Sequence, residues 1–228
     1  VWESYRDPVG TFSTNIMGTV HLLECVRQAG CVRSLLNVTT DKVYENHKWP
    51  WGYRETDPLN GFDPYANSKS CSELVTDSYR NSFFSDGRTA VSTARAGNVI
   101  GGGDFAADRI IPDCVRAAGA GRPIQLRNPC AVRPYQHVLE ALSAYLLIAE
   151  RQYEDGALAG SYNVGPESRD CLTTGALADL FCRAWGEGAR WEHVGQDGPH
   201  EDAVLRLDCS KISAALGWRP RWDARRAV

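Results

Sequence analysis

No CxxC pair occurs in this sequence, although it carries eight cysteines, at positions 25, 31, 71, 114, 130, 171, 182 and 209. No histidine stands at metal-finger spacing from any of them, so a zinc-finger pattern is excluded, and a disulfide framework does not suit a chain of 228 residues with 43% hydrophobic content. Cys25, Cys71 and Cys182 fall inside amphipathic helical patterns and read as small buried thiols, and reduced thiols fit a cytoplasmic protein. The sequence also lacks a secretory signal at its start and any apolar run near the roughly 20 residues that a membrane helix needs. Its longest run, "ALSAYLLIA" from Ala141 to Ala149, reads as a core helix. There is no excess of positive charge: the formal charge is -3 and the pI about 6.0. A general field for nucleic acid is therefore absent, and arginine clusters are left to hold a small phosphorylated ligand. Internal repeats are absent too.

What is present is an alternation of helices and strands. Asp7 and Pro8 open a helix that Gly30 ends, and "SLLNVTT" from Ser34 to Thr40 is mostly apolar or β-branched and reads as a buried strand. A long loop rich in Trp, Gly, Pro and Asn runs from Glu45 to Phe62, long enough to be functional. Asp63-Pro64 starts a helix to about Phe84, and "TAVSTARAGNVIG" from Thr89 is a second strand running into glycines 101–103. Beyond it the pattern predicts helices near 109–118, 136–153, 173–185 and 210–216, with strands at 123–127, in "SYNVG" and at 190–194. This is the pattern of an α/β fold with a parallel sheet.

In such sheets ligands meet the protein at the carboxyl ends of the strands. Asp41 and Lys42, directly after the first strand, are placed there, an acid beside a base. Tyr65 and Lys69 are four residues apart in the helix that Asp63 caps, so they project from one face. An ammonium beside a phenol stabilises the phenolate and lowers the Tyr pKa from about 10 toward neutrality, and such a Tyr can take a proton from a sugar hydroxyl. Alone, the Tyr-x-x-x-Lys spacing arises by chance in many helices.

Taken together, "TTDKVYEN", "DPYANSK" and "RAGNVIGGGD" resemble the extended short-chain dehydrogenase/reductase superfamily, and within it the nucleotide-sugar 4,6-dehydratases, nearest to the branch acting on CDP-glucose. The likeness runs through "SYRDPVGTFSTNIMGTVHLLE", "DRIIPDCVRA", "VRPYQHVLE" and "LGWRPRW". It implies a Rossmann-type doubly wound sheet and a smaller mixed α/β substrate domain, with residues 1–100 in the first, 101–228 mainly in the second, and 132–166 returning to the first. It implies NAD as cofactor and a nucleotide-sugar as substrate. Tyr65, assisted by Lys69, would take the proton of the sugar 4-hydroxyl; Thr40 would hydrogen-bond that hydroxyl; Asp41 would protonate the departing 6-hydroxyl. Where dTDP-glucose dehydratases carry Asp-Glu, this chain has Asp41-Lys42. Lys42 is then either a neutral base or a cation that stabilises the enolate. Asn98, Arg109, Arg133 and His200 match or border substrate-contacting positions, Arg133 gripping the pyrophosphate through its forked donors. Tyr5 lies near the cofactor's path, and Asn15 has an internal structural role. A nucleotide-sugar 4-epimerase shares Tyr, Lys and NAD but has no use for an acid and a base after Thr40.

Members of this family begin with a strand, a Gly-rich GxxGxxG turn and a helix, and no such motif occurs here; the chain starts with Val1 and is expected to be a fragment lacking the first strands, hence an incomplete sheet. Two readings follow, a dehydratase and a catalytically silent piece of one. The helices around Thr11–Arg27 and Pro64–Phe83 correspond to those that pair the full-length parent into a homodimer or higher oligomer.

Overall fold

The structure, a computed structural model, describes residues 1–195 and 202–228. The chain opens with α1 (Trp2–Arg6), α2 (Pro8–Phe12) and α3 (Gly18–Ala29), the last two joined by a π-helical turn at Ser13–Met17. The start and stop expected from sequence are both in place. The Asp7 carboxylate accepts from Gly10 N at 2.8 Å with Pro8 in the first turn, and Gly30 ends α3 at φ 63°. What lies between is not one regular helix, because the π turn re-aims the side chains. Asn15 Nδ2 donates to Ser68 Oγ at 2.9 Å, and the Thr19 and Ser72 hydroxyls pair at 2.8 Å.

β1 (Ser34–Val38) stops short of the expected Thr40, whose side chain instead caps a 3₁₀ turn at Asp41–Val43. α4 (Pro64–Phe83) follows the long loop, with Asp63 Oδ1 accepting from Ala66 N at 3.0 Å. The predicted second strand is two. β2 (Ala90–Ala96) and β3 (Asn98–Ile100) belong to different sheets, and they part at Gly97, where a Cβ would stand 2.5 Å from the Pro134 carbonyl oxygen. α5 (Ile110–Gly119) and β4 (Ile124–Leu126) come next. The expected helix from about Gln136 begins at α6 (Val138–Glu154), behind an unforeseen strand, β5 (Val132–His137). The remainder is β6 (Ser161–Val164), β7 (Cys171–Thr173), α7 (Thr174–Trp185), β8 (Trp191–His193), α8 (Ser210–Leu216) and α9 (Ala224–Ala227).

β1, β2 and β6 form one parallel sheet with β2 central. β2 is buried along its whole length and serves two faces by strand alternation. Ala94 and Ala96 pack with Ala141, Ala144 and Ile148 of α6 and with Ile212 and Trp218, whereas Val91 packs with Leu23 and Val26 of α3. Small residues on one side let α6 approach closely. A second sheet has β3 and β5 parallel and β5 and β7 antiparallel; a third pairs β4 with β8 in parallel. The thiols partly depart from expectation: all eight are free, but Cys25 is exposed, as are Cys31 and Cys130, while Cys71 and Cys182 are half-buried and Cys114 is buried. Cys25 lies on the outer side of α3, turned from the packed side that Leu23 and Val26 occupy. No helix among the described residues is long and apolar enough to cross a membrane.

Candidate active site

The carboxyl ends of β1 and β2 open into a cleft of about 1360 Å³, lined among others by Thr40, Asp41, Lys42, Tyr65, Asn98 and Arg133. The backbone explains the grouping. Thr40, extended at φ -154°, turns the chain out of β1, and its hydroxyl oxygen accepts weakly from Lys42 N at 3.4 Å, which folds the 3₁₀ turn over the strand end. The Thr40 hydroxyl also donates to Asp41 Oδ1 at 3.1 Å. Asp41 is 1% exposed, its Oδ1 lies 3.7 Å from Lys42 Nζ, and its buried Oδ2 has no hydrogen-bond partner. A carboxylate oxygen shut away from water and unpaired is costly unless a ligand meets it.

Tyr65 reaches the same place from the first turns of α4. Burial raises its pKa above the ordinary phenol value, the charge of Asp41 adds to that, and a hydrogen bond with Thr40 and the charge of Arg109 work the other way. This corrects the expectation that Lys69 pulls Tyr65 toward neutrality. Lys69 is not among the groups acting on Tyr65 or among the side chains lining the cleft; its own pKa is lowered by burial and held up by Glu73. One turn further along α4, its charge is answered by the carboxylate behind it rather than by the phenol ahead.

The other candidates divide. Asn98 lines the cleft with a buried, unpartnered Oδ1. Arg133 is buried at 8% exposure and lines it too, Nη1 donating to Val132 O at 2.9 Å, and Arg109 lines it from the exposed start of α5. Tyr5 is 44% exposed and is not part of the lining, although burial and Asp63 raise its pKa. His200 lies outside the described residues. Two residues in the vicinity had no sequence signal of their own. Tyr145, inside the apolar run of α6, lines the cleft, and burial together with the charge of Asp41 pushes its phenol up to about 12. Glu73 is buried directly behind the strand ends, in an ion pair with Arg95 at 2.9 Å.

A parallel sheet carrying a Thr-Asp-Lys turn at one strand end and a Tyr-x-x-x-Lys helix beside it defines the class, a Rossmann-type α/β protein with its site at the strand ends. The model of the family described as GDP-mannose 4,6 dehydratase matches residues 1–228, and the chain belongs to that family. It is 48% identical to the CDP-glucose 4,6-dehydratase of Salmonella typhimurium over 96% of this chain and 63% of the relative. It is 32% identical to a dTDP-glucose 4,6-dehydratase of Streptomyces antibioticus over 94% of this chain and 61% of that protein. The chain therefore spans under two thirds of the length of these relatives. Among solved structures it is similar to the dTDP-glucose 4,6-dehydratase DesIV of Streptomyces venezuelae with NAD and TYD bound (TM-score 0.80, 28% identity, 100% of this chain and 68% of that one). It is also similar to the UDP-glucose 4-epimerase of Thermus thermophilus with NAD (TM-score 0.84, 26% identity, 98% and 70%).

Proposed function

We propose that this chain carries the catalytic strand ends of an NAD-dependent nucleotide-sugar 4,6-dehydratase, a hydro-lyase acting on CDP-glucose to give CDP-4-keto-6-deoxyglucose. The observation that carries the reading is Asp41, buried at 1% exposure with an unpartnered Oδ2, in a cleft beside Thr40, Lys42 and Tyr65. An epimerase has no elimination to catalyse, so a buried acid at this point favours the dehydratase over the epimerase. Similarity of fold does not separate the two, because the structural neighbours include both.

The described residues fit one end of the cofactor. Tyr65 and Lys69 would hold NAD at its nicotinamide side: the Lys69 ammonium is partly buried and has no hydrogen bond among the described residues, so its donors are free for a ligand's hydroxyls. When bound, NAD supplies the hydride acceptor for the sugar C4 and the donor for C6. Thr40 orients the 4-hydroxyl, and Tyr65 takes its proton. Asp41, in its protonated form, then gives a proton to the departing 6-hydroxyl while a water in the cleft takes the C5 proton and returns it to Asp41, so that water is lost across C5 and C6. Lys42, paired with Asp41 at 3.7 Å, is placed to stabilise the enolate as a cation. Arg133 and Arg109 would grip phosphate oxygens and Asn98 Oδ1 would accept from the substrate.

Residues 1–100 and 132–166 are read as mainly cofactor domain and the rest as mainly substrate domain. That β6 joins β1 and β2 and that α6 packs on them supports this. Pairing of the parent as a homodimer or higher oligomer through the segment 11–27 and α4 is supported by the exposed Met17, Leu22, Leu74 and Phe83.

The test is to incubate this chain, and a version extended upstream if the gene continues in frame, with NAD and separately CDP-, dTDP-, GDP- and UDP-glucose, following the alkaline ultraviolet absorbance of a 4-keto sugar. A keto sugar from CDP-glucose is the expected product. A C4 epimer without keto sugar would refute the dehydratase reading, and activity only in the extended version would show that this chain is a silent piece of one.

A further inference from the structure

We propose that Glu73 is a positioning residue of this site, whose carboxylate joins α4 to the ends of β1 and β2 and supplies the negative charge one helical turn from the Lys69 ammonium. Glu73 is 2% exposed, and three segments converge on it. The Thr39 hydroxyl, next to Thr40, donates to Oε1; the Thr93 hydroxyl of β2 donates to Oε2 at 2.7 Å; and Arg95 Nη2 donates to Oε2 at 2.9 Å. Arg95 is itself fixed, its Nη1 donating to Tyr44 Oη at 3.0 Å and to the Glu55 carbonyl at 3.1 Å. The carboxylate therefore ties the catalytic helix to the residue preceding Thr40, so a change in its geometry is felt at both sides of the proton-transferring pair.

Lys69 and Glu73 stand at i and i+4, neighbours on one helix face. Burial works against the charged ammonium and Glu73 works for it. The elements packed against α4 offer few rivals. The turn after β1 brings Asp41 and Lys42, paired with each other; β2 brings Arg95, paired with Glu73; Glu24 of α3 is taken by Arg27, and Glu3 of α1 by Arg6. None of these acts on Lys69. The importance of that charge rests on the reading of Lys69 as part of the catalytic pair, but its effect on Lys69 can be measured without turnover.

The experiment is a pH titration of the Lys69 side chain in this chain by NMR of isotope-labelled lysines. Only four lysines, at positions 42, 48, 69 and 211, have to be resolved, and Lys69→Arg assigns the signal. In Glu73→Gln the Lys69 pKa is expected to fall by about one unit or more, a tenfold loss of ammonium at a fixed pH within the transition. Breaking one partner of a buried pair is strongly destabilising, so Glu73→Gln with Arg95→Gln, which removes both charges together, is measured alongside, and the same fall is expected. An unchanged Lys69 titration in whichever of these variants is folded overturns the proposal. Neither NAD nor a sugar nucleotide is present, so a shifted Lys69 together with a C4 epimer and no keto sugar from the extended version would leave the proposal standing and reject the function.

Discussion

At the scale of single residues the cleft sets one carboxylate against two phenols. Asp41 is buried in the cleft that Tyr65 and Tyr145 line, and its charge raises both phenols, so a ligand that neutralises Asp41 is felt at both. The division of work proposed here makes their variants distinguishable. Asp41→Asn keeps the shape of the turn and the contact to Thr40 but removes the proton donor, and general acid catalysis is worth about 10²-fold or more. It is expected to depress keto-sugar formation by that factor while exchange at C4 continues, which labelled substrate would report; equal loss of both steps would contradict the role given to Asp41. Tyr65→Phe is expected to stop C4 chemistry as well as elimination, again by about 10²-fold or more.

At the scale of elements, the site depends on where α4 begins and where β2 ends. The Asp63 carboxylate caps α4 only two residues before Tyr65. Asp63→Ala is expected to lower stability by about 1 kcal/mol, read as a shift of the denaturant midpoint at unchanged slope. At the other side, Gly97 passes so close to Pro134 that a methyl group would stand 2.5 Å from its carbonyl oxygen. Gly97→Ala must push β5 away from the β2–β3 bend, moving Asn98 and Arg133 together. The expected result is an overpacking loss of about 1–3 kcal/mol with substrate affinity falling along with it; binding left intact in a folded variant would show that the bend does not set the substrate side. Pieces of this were open to the sequence. Asp63-Pro64 announced the helix start, and a helix starting there obliges Tyr65 and Lys69 to share a face. β5 was hidden because six residues containing Arg, Pro and His do not alternate like a strand, and their pairing partners lie in β3 and β7.

At the scale of the whole molecule a set of phenols and thiols shares one property, that burial opposes their ionisation. Tyr44, Tyr53, Tyr65, Tyr145 and Tyr162 are all raised, Tyr145 to about 12, and Cys114 is raised to about 12 as well. A group with a folded-state pKa above its unfolded one keeps its proton in the folded chain after the unfolded chain has lost it. Its contribution is whole below the unfolded pKa and is lost as pH rises through the folded one. Stability is therefore expected to hold to about pH 8 and to decline from about pH 9, thiols first and phenols above about pH 10. Denaturant midpoints across that range test it. Tyr145→Phe should flatten the fall, and an unchanged slope would mean that Tyr145 does not take part.

The local pattern alone determined the α/β alternation, the strand end at Thr40-Asp41-Lys42 and the Tyr65-Lys69 face, because periodicity, caps and strand termini are properties of neighbouring residues. Tertiary structure alone decided that Tyr65 is governed by burial and Asp41 rather than by Lys69, that Lys69 is answered by Glu73, and that Tyr145 stands over the cleft. Polar groups meet through space and not along the chain: Glu73 and Arg95 are 22 residues apart and Asn163 and Tyr44 are 119 apart, yet each pair meets within 3 Å. A pKa follows from the folded surroundings of a group, and those exist only after β1, β2, α4 and α6 have packed.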